Sequence, residues 1–291
     1  MPNLTSRVAR LKCWHGPVAP TSLTGGITNT NFLVEDAGEK YVVRVGEDIP
    51  LHQIMRFNEL AASKAAFDAG LSPEVFHTEP GILVLRFIDG KTLTTEDVQN
   101  QTILARILPV IRRCHQEIPS YLKGPILSFW VFHIVRDYAI TIQKGQGRLA
   151  HFLPELLDMA GILEKAVGPI DIVLGHNDLL SSNFIDDGSK IWIFDWDYAG
   201  FNSPLFDLGG LASNNNLSQT QEEWLLENYF EAPLKDELWH RYRAMKCASL
   251  LRESLWSMVS EIHSQLDFDY PTYTNNNLAS FRAAYTNFME M

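Results

Sequence analysis

The sequence predicts an α+β chain with two lobes, a small β-sheet lobe carrying one helix and then a larger, mostly helical lobe. Short runs rich in β-branched and aromatic residues, separated by glycine-containing turns, occupy the first part of the chain. The segment at 88–91, Ile-Asp-Gly-Lys, interrupts this pattern, and helical periodicity dominates after it. We therefore assign residues 1–88 to the first lobe and residues 89–291 to the second.

The first lobe begins with a predicted helix at 4–14. Strands at 31–35 and 40–45 flank Asp36-Ala37-Gly38-Glu39, which is typical of a hairpin turn. An amphipathic helix is predicted at 52–69, where Gly70 ends it. Segments 74–77 and 82–87, joined by a Pro-Gly turn, complete the small sheet.

The second lobe opens with Thr94 and Asp97, which have the spacing of a capping box. Helices are predicted at 102–117, 129–143 and 151–167, the first of them despite Pro109. Short strands and loops are expected within 171–200. The remainder, 205–291, has a helical pattern almost throughout.

Composition narrows the class of protein. The chain has 291 residues, 46% of them hydrophobic and 20% charged, which is enough for a globular core. The formal charge is −11, from 35 acidic and 24 basic residues, without a basic stripe that would indicate a nucleic-acid partner. An acidic surface suits a small cationic substrate, although solubility explains the charge equally well.

The cysteines and the lengths of the apolar segments indicate the cellular compartment of the protein. Cys13, Cys114 and Cys247 are far apart in sequence, which is typical of a reducing compartment. The first residues lack the apolar stretch of a signal peptide, and no run approaches the roughly 20 apolar residues of a membrane helix. We expect a cytoplasmic protein without membrane insertion.

The segment at 176–183, His-Asn-Asp-Leu-Leu-Ser-Ser-Asn, carries the strongest chemical signal. Asn183 follows Asp178 by five residues, and Asp195 ends the apolar strand at 191–194. Protein kinases arrange a catalytic aspartate, an asparagine and a metal-binding aspartate in this order. Each residue alone would suit an ordinary loop cap or strand end, but all three together favour a phosphotransferase site. Asp178 is the predicted base, and Asn183 and Asp195 are predicted to hold Mg²⁺ on ATP.

Other segments resemble the choline/ethanolamine kinase family, within the aminoglycoside phosphotransferase and protein-kinase-like superfamily, and bacterial choline kinases in particular. The resemblance covers nearly the whole chain. The segments that carry it lie at 26–32, 41–45, 195–200, 206–209, 255–259 and 268–273.

This resemblance implies a protein-kinase-like fold and a nucleotide site. Gly26, Asn29 and Asn31 belong to a loop over the phosphates. Arg44 is expected to contact the α- and β-phosphates, with Glu59 pairing with it and orienting it. Arg86, Phe87 and Ile88 would offer backbone groups to adenine. Asp207 is expected to brace the catalytic loop, and His176 to orient it.

The resemblance also implies an acceptor pocket beside Asp178. Trp256 and Tyr273 match aromatic positions that hold a cationic alcohol through ring faces, and Asp197 is a further pocket residue. Trp256 also lies on an apolar helical stripe, which is normally core. Glu253, Leu180 and Asn214 depart from the eukaryotic branch, and the carboxylate of Glu253, if it is not on the surface, would accept hydrogen bonds from an amine. These residues favour choline first and ethanolamine second.

Three alternatives stay open at this point. The same chemistry could act on thiamine, an aminoglycoside or a sugar. The second is a non-catalytic nucleotide-binding module, although such modules usually lose the base or a metal ligand, and this sequence keeps both. The third is a surface or scaffold protein that only shares the fold.

Overall fold

The computed structural model describes residues 4–23 and 29–290. Its strands are β1 (Thr21–Leu23), β2 (Thr30–Asp36), β3 (Glu39–Val45), β4 (Val75–Glu79), β5 (Ile82–Arg86), β6 (Lys91–Thr92), β7 (Val173–Gly175), β8 (Phe184–Asp186), β9 (Ile191–Ile193) and β10 (Gly200–Asn202). Its helices are α1 (Leu4–Ala9), α2 (Arg56–Asp68), α3 (Thr95–Gln99), α4 (Gln101–Gln116), α5 (Val131–Lys144), α6 (Leu153–Val167), α7 (Pro204–Asn214), α8 (Gln219–Phe230), α9 (Asp236–His263) and α10 (Tyr270–Met289). The predicted α+β class is confirmed.

The first sheet has five antiparallel strands in the order β1-β2-β3-β5-β4. The predicted β2–β3 hairpin is confirmed, and its turn places Ala37 and Gly38 at φ 52° and 85°. Two successive positive φ values match the twist of the flanking strands. This register sets Asn31 opposite Arg44.

Helix α1 is shorter than the predicted span of 4–14, because it ends at Ala9. The indole nitrogen of Trp14 donates to the backbone oxygen of Val8 at 2.9 Å, an acceptor that a longer helix would have used internally. Trp14 also stacks on Phe76 with ring centroids 6.5 Å apart. Tertiary packing of one aromatic side chain therefore overrides the local helical pattern.

Helix α2 begins at Arg56, later than the predicted position 52. Gln53 adopts a left-handed conformation with φ 59°, which no helix interior tolerates. The carboxylate of Asp48 then accepts a hydrogen bond from the backbone nitrogen of Arg56 at 2.7 Å. This side chain satisfies one of the free N–H groups at the helix start.

Two small sheets carry the loops that follow the first lobe. β7 pairs with β10, and β8 lies between β6 and β9. The turn between β8 and β9 is held by Asp187, whose Oδ1 accepts from the backbone nitrogens of Ser189 and Lys190 at 2.7 and 2.8 Å. Both sheets end beside the loop at 176–183.

Five helices of the described second lobe, α3, α4, α7, α8 and α10, begin at side-chain caps. The predicted capping box at Thr94 and Asp97 is confirmed, and Ser218 forms a second one with Gln221. The long helix α9 packs against α5, α6, α7 and α10 and forms the centre of the lobe. Within residues 4–23 and 29–290, no helix combines the length and apolar character needed to cross a membrane.

Two hydrophobic cores lie in the described part of the chain. The smaller contains Val8, Val34, Val43 and Val84 from α1 and the first sheet. The larger is built mainly from the second lobe, but buried alanines of α2 also belong to it. Helix α2 therefore packs against the second lobe. The domain boundary between residues 88 and 89 stays a prediction.

Candidate active site

The catalytic loop between β7 and β8 is held by the buried carboxylate of Asp207, in the first turn of α7. Its two oxygens accept from the backbone nitrogens of His176 and Asn177 at 2.8 and 2.7 Å. His115 lies 2.9 Å away on the same carboxylate. Burial alone would raise the pKa of Asp207, but the hydrogen bonds from His115 and from the backbone of His176, together with the nearby rings of both histidines, outweigh it, and the pKa lies below its usual range.

His176 and Asn177 fix the shape of this loop from within. The His176 ring contacts the backbone oxygen of Phe194 at 2.9 Å, and burial lowers the pKa of His176. Asn177 has φ 65°, and its amide nitrogen donates to the backbone oxygens of Tyr198 and Gly200 at 2.9 and 3.1 Å. The loop that presents Asp178 is thus tied to the segment after β9.

Asp178 and Asn183 face the same space. The amide nitrogen of Asn183 donates to the backbone oxygen of Asp178 at 2.9 Å, which orients the amide oxygen away from that carbonyl. Burial raises the pKa of Asp178 to about 8, although nearby Arg252 opposes the shift. A carboxyl group with this pKa is suited to taking a proton near neutral pH.

Asp195 follows β9 in a left-handed conformation, with φ 70°. Such a conformation is uncommon for a residue other than glycine and often marks functional loops. Here it directs the carboxylate toward the first lobe, where Oδ1 lies 2.7 Å from Nη2 of Arg44.

Arg44, Arg56, Glu59, Asp195 and Asp197 form what we call the Arg44 cluster. Nε of Arg44 lies 2.9 Å from Glu59, the pairing that the family resemblance implied, and Nη2 lies 3.1 Å from Asp197. Burial alone would lower the pKa of Arg44, but the carboxylates of Asp195, Glu59 and Asp197 raise it well above its usual value. Arg44 therefore stays charged inside the protein.

Sequence reasoning missed Arg56, in the first turn of α2. Its Nη1 bridges Glu59 at 2.6 Å and Asp197 at 2.8 Å. Asn29 donates to the other oxygen of Asp197 at 3.1 Å. Since Arg56 is three residues before Glu59 on one helix, the i,i+3 spacing was the available signal.

The residues predicted for catalysis and for acceptor binding line one cavity of about 310 Å³, which we call the acceptor cavity. Its lining includes Asp178, Asn183, Asp195, Asp197, Glu253, Trp256 and Tyr273. The volume lies at the small end of the range for small-molecule sites, about 300–1,000 Å³. Segments separated by more than 70 positions in sequence thus meet at one site.

Glu253 does not lie on the protein surface with a free carboxylate. Tyr273 donates to its Oε1 at 2.7 Å, and Nη1 of Arg252 donates to its Oε2 at 2.9 Å. Both carboxylate oxygens are thereby fixed at the wall of the acceptor cavity, with lone pairs still available to an amine.

Trp256 belongs to both the apolar stripe and the cavity wall. Its side chain is only 5% exposed, and its indole nitrogen donates to the hydroxyl of Tyr198 at 2.8 Å. The His52 ring lies against it with centroids 5.0 Å apart. Little of the indole is therefore accessible from the cavity.

Arg252 was not predicted as a site residue, yet it lines the acceptor cavity and is only 4% exposed. On α9 it shares the buried stripe of Ala248, Leu251, Leu255 and Trp256. The sequence did contain a signal for Arg252, because a charged residue on an otherwise apolar helical stripe indicates a buried functional side chain. Its guanidinium carbon lies 4.3 Å from the centre of the Tyr198 ring.

The predicted adenine segment is largely committed to the sheet. The backbone nitrogen of Arg86 donates to Glu74 and that of Phe87 to Lys40, and the Arg86 side chain forms ion pairs with Glu39 and Glu74. Only the backbone carbonyl groups of this segment and the backbone of Ile88 would then be left to contact adenine. The adenine contact stays a prediction. Gly26, predicted for the phosphate loop, lies outside the described residues.

The residues present suit Mg²⁺. Asp195 and Asn183 offer hard oxygen donors at the edge of one cavity, and the Asp195 side chain is 25% exposed there. The described residues contain no group of three or more His, Cys, Asp or Glu that could hold a metal. Mg²⁺ is usually held by one or two carboxylates together with phosphates and water, so a complete protein cage is not required.

Comparison with known proteins gives the family. The sequence model of the choline/ethanolamine kinase family matches residues 21–224, more than half of the chain. Protein LicA of Haemophilus influenzae is 26% identical over 88% of this chain and 78% of its own. The probable ethanolamine kinase A of Dictyostelium discoideum is 28% identical over 86% of this chain and 81% of its own.

A solved structure agrees over the full architecture. The choline/ethanolamine kinase family protein of Mesorhizobium loti has a TM-score of 0.79 and 27% identity, covering 97% of this chain and 93% of that chain. This superposition establishes the protein-kinase-like fold that the resemblance implied. The chain belongs to the choline/ethanolamine kinase family and is an ATP-dependent kinase.

Proposed function

We propose that the protein phosphorylates the hydroxyl of a small amino alcohol, choline or ethanolamine, with ATP and Mg²⁺ in the cytoplasm. The observation that carries this proposal is the acceptor cavity, where Asp178, Asn183 and Asp195 adjoin Glu253 and Tyr273. Base, metal donors and an acidic anchor for an amine surround one small volume. The names of the relatives support the same acceptor class.

The acceptor binds with its ammonium group toward Glu253 and its hydroxyl toward Asp178. The hydroxyl oxygen forms a bond to the γ-phosphorus, the bond from that phosphorus to the bridging oxygen of ADP breaks, and the proton passes to Asp178. Burial raises the pKa of Asp178 to about 8, which favours this proton transfer. A positive ammonium nearby favours the ionised carboxylate that must be present first.

Asn183 and Asp195 would hold Mg²⁺, which when bound supplies charge neutralisation at the phosphate oxygens. Arg44 lies beside both acidic positions after β9, which supports the proposal that its guanidinium contacts phosphate oxygens at the same edge. Glu59 and Arg56 restrict the movement of that side chain. Most of the catalytic effect then comes from positioning and charge.

A larger acceptor is the second candidate, on one specific observation. A cavity of about 570 Å³ shares Asp178, Arg252, Glu253 and Tyr273 with the acceptor cavity. It continues along uncharged polar side chains of α7, α9 and α10, namely Ser213, Asn214, Ser249, Asn277 and Ser280. An aminoglycoside carries amines and many hydroxyl groups that would suit this lining.

The direct test is ADP release from Mg-ATP with choline, ethanolamine, thiamine and kanamycin as separate acceptors. We expect release with the two small amino alcohols. Asp178→Asn should lower kcat by about a hundredfold to ten-thousandfold, because the general base is lost. Asp158→Asn, an exposed carboxylate on α6, serves as the matched control.

Nucleotide binding should persist in Asp178→Asn, which a fluorescent ATP analogue would measure. Near-normal turnover in this variant would refute the assigned base. Kanamycin-dependent release without release on the small alcohols would favour the second candidate. Binding of Mg-ATP without turnover on any acceptor would indicate a regulatory module.

A further inference from the structure

The buried guanidinium of Arg252 lies at the wall of the acceptor cavity and contacts two aromatic rings. Its central carbon is 4.3 Å from the ring centre of Tyr198 and 5.5 Å from that of Phe129. Both distances are within the range of cation–π attraction. These two rings therefore already carry a cation supplied by the protein.

Two further aromatic residues line the acceptor cavity, Trp256 and Tyr273, and Tyr273 is the more exposed of the two. Trp256 is 5% exposed, covered on one side by His52 and joined to Tyr198 through its indole nitrogen. Burial lowers the pKa of His52 to about 3, so this ring stays neutral. A quaternary ammonium depends on such ring faces because it has no hydrogen to donate.

Glu253 offers the contrasting kind of contact. Its oxygens accept from Arg252 and Tyr273, and these two donors hold the carboxylate at the cavity wall. An ammonium group with N–H donors forms a charge-assisted hydrogen bond there, which is stronger than a neutral one. A trimethylated ammonium cannot form this bond and still meets the like charge of Arg252.

We infer that Arg252 is a specificity-determining residue that makes the acceptor cavity select an alcohol with a primary ammonium group over one with a quaternary ammonium group. This inference rests on the proposed function. It reverses the order of acceptors expected from the sequence, because Trp256 is almost fully buried and the rings of Tyr198 and Phe129 already contact the cation of Arg252. A primary ammonium group gains a hydrogen bond to Glu253, whereas a quaternary ammonium group depends on contact with ring faces.

The test is a methylation series of ethanolamine, its N-methyl and N,N-dimethyl derivatives, and choline. kcat/KM should fall with each methyl group, by about tenfold or more in total, which corresponds to about 1.4 kcal/mol. The Kd of each amine, measured by calorimetry with a non-hydrolysable ATP analogue, should follow the same order. L-serine is included because Nε and Nη2 of Arg252 have no hydrogen-bond partner among the described residues.

Arg252→Met is the decisive variant, since methionine keeps much of the side-chain volume and vacates the rings of Tyr198 and Phe129. The ratio of kcat/KM for ethanolamine over choline should fall by about tenfold or reverse. Arg252→Lys should keep the wild-type order because it keeps the charge. Arg243→Met, on the same helix but away from the cavity, should leave the ratio unchanged.

Several results would overturn the inference. Wild-type preference for choline would do so while leaving the proposed function intact, and so would an unchanged ratio in a folded Arg252→Met protein. Tighter binding of L-serine than of ethanolamine would mean that Arg252 binds an anion instead. If no amino alcohol is phosphorylated, the proposed function fails, and the order of Kd values still decides the inference. If Arg252→Met does not fold, Arg252→Gln, which also removes the charge, decides the inference by the same ratio of kcat/KM.

Discussion

The Arg44 cluster and the acceptor cavity share Asp195 and Asp197 but differ in whether their charged groups have partners of opposite charge. In the cluster, two guanidinium groups face three carboxylates, and every one of these side chains has an oppositely charged partner within 3.1 Å. In the cavity, Glu253 is paired with Arg252, but Asp178 has no salt-bridge partner within the described residues, and burial raises its pKa to about 8.

This difference separates two physical tasks. A cluster of mutually compensated charges holds the two lobes and the segment after β9 in one arrangement, because α2, β3 and that segment all contribute to it. An uncompensated carboxyl group is unfavourable for stability but keeps an accessible proton equilibrium. Removing an arginine from the cluster should therefore lower stability in addition to weakening phosphate binding, and altering Asp178 should change turnover and its pH dependence.

The largest effect on stability is expected from Arg44→Met. It leaves Glu59 and Asp197, 3% and 2% exposed, with less compensation in the interior. Loss of one partner from a buried ion pair typically costs about 3–5 kcal/mol. Chemical denaturation would measure the fall in the free energy of unfolding.

The control for Arg44→Met is Arg136→Met, because Arg136 pairs with Glu164 at the surface, where its side chain is 50% exposed. A surface pair is worth only about 0–1 kcal/mol. Equal losses of stability in the two variants would contradict the distinction between the buried cluster and an ordinary ion pair.

The pH dependence of turnover is the second prediction, and it concerns Asp178. The base acts only when deprotonated, so kcat/KM should rise by about tenfold per pH unit up to about pH 8 and then level off. Choline is the suitable probe because its charge does not change with pH. The midpoint for kcat should lie lower, since bound cations favour the ionised carboxylate.

A stability measurement separates this assignment from other titrations. The folded pKa of Asp178, about 8, lies above the ordinary value of 3.8, so its protonated form stabilises the fold, and that contribution is lost as the pH rises toward and through 8. Asp178→Asn removes the loss, so its Tm should gain on wild type between pH 6 and pH 9. A constant difference in Tm would contradict the raised pKa.

The two regions also differ in how far the sequence could predict them. The order and spacing of Asp178, Asn183 and Asp195 predicted one shared site, and the three residues line one cavity. The pair of Arg44 and Glu59, which the family resemblance implied, lies 2.9 Å apart. Local turns and caps, such as the β2–β3 hairpin and Thr94 with Asp97, were equally predictable because neighbours in sequence determine them.

Arg252 was missed because the rings that it contacts lie far away in sequence, and Arg56 because its partner Asp197 lies 141 positions away. Arg252 lies on a buried helical stripe, and such a position is normally interpreted as core. Its contact with Tyr198, 54 positions earlier in the sequence, becomes visible only in the folded structure. The early end of α1 has the same cause, since Trp14 finds its partners on β3 and β4. Contacts that close over long sequence separations carry no local signature.

The smallest effect is expected from Tyr273→Phe, which keeps the aromatic ring and removes the hydroxyl that donates to Glu253 at 2.7 Å. A hydrogen bond to a charged group contributes about 1.5–3 kcal/mol, and Arg252 still holds the other oxygen, so we expect the lower end of that range. KM for ethanolamine should rise by about tenfold with kcat nearly unchanged, because the contact orients the anchor for the amine and leaves the reacting atoms alone. Tyr285→Phe on the same helix, whose ring packs near Phe281 and Phe288, is the matched control and should change neither constant. A fall in kcat with constant KM would instead show that Tyr273 positions the hydroxyl of the acceptor. In that case α10 would contribute to the alignment of the reacting atoms as well as to binding of the amine.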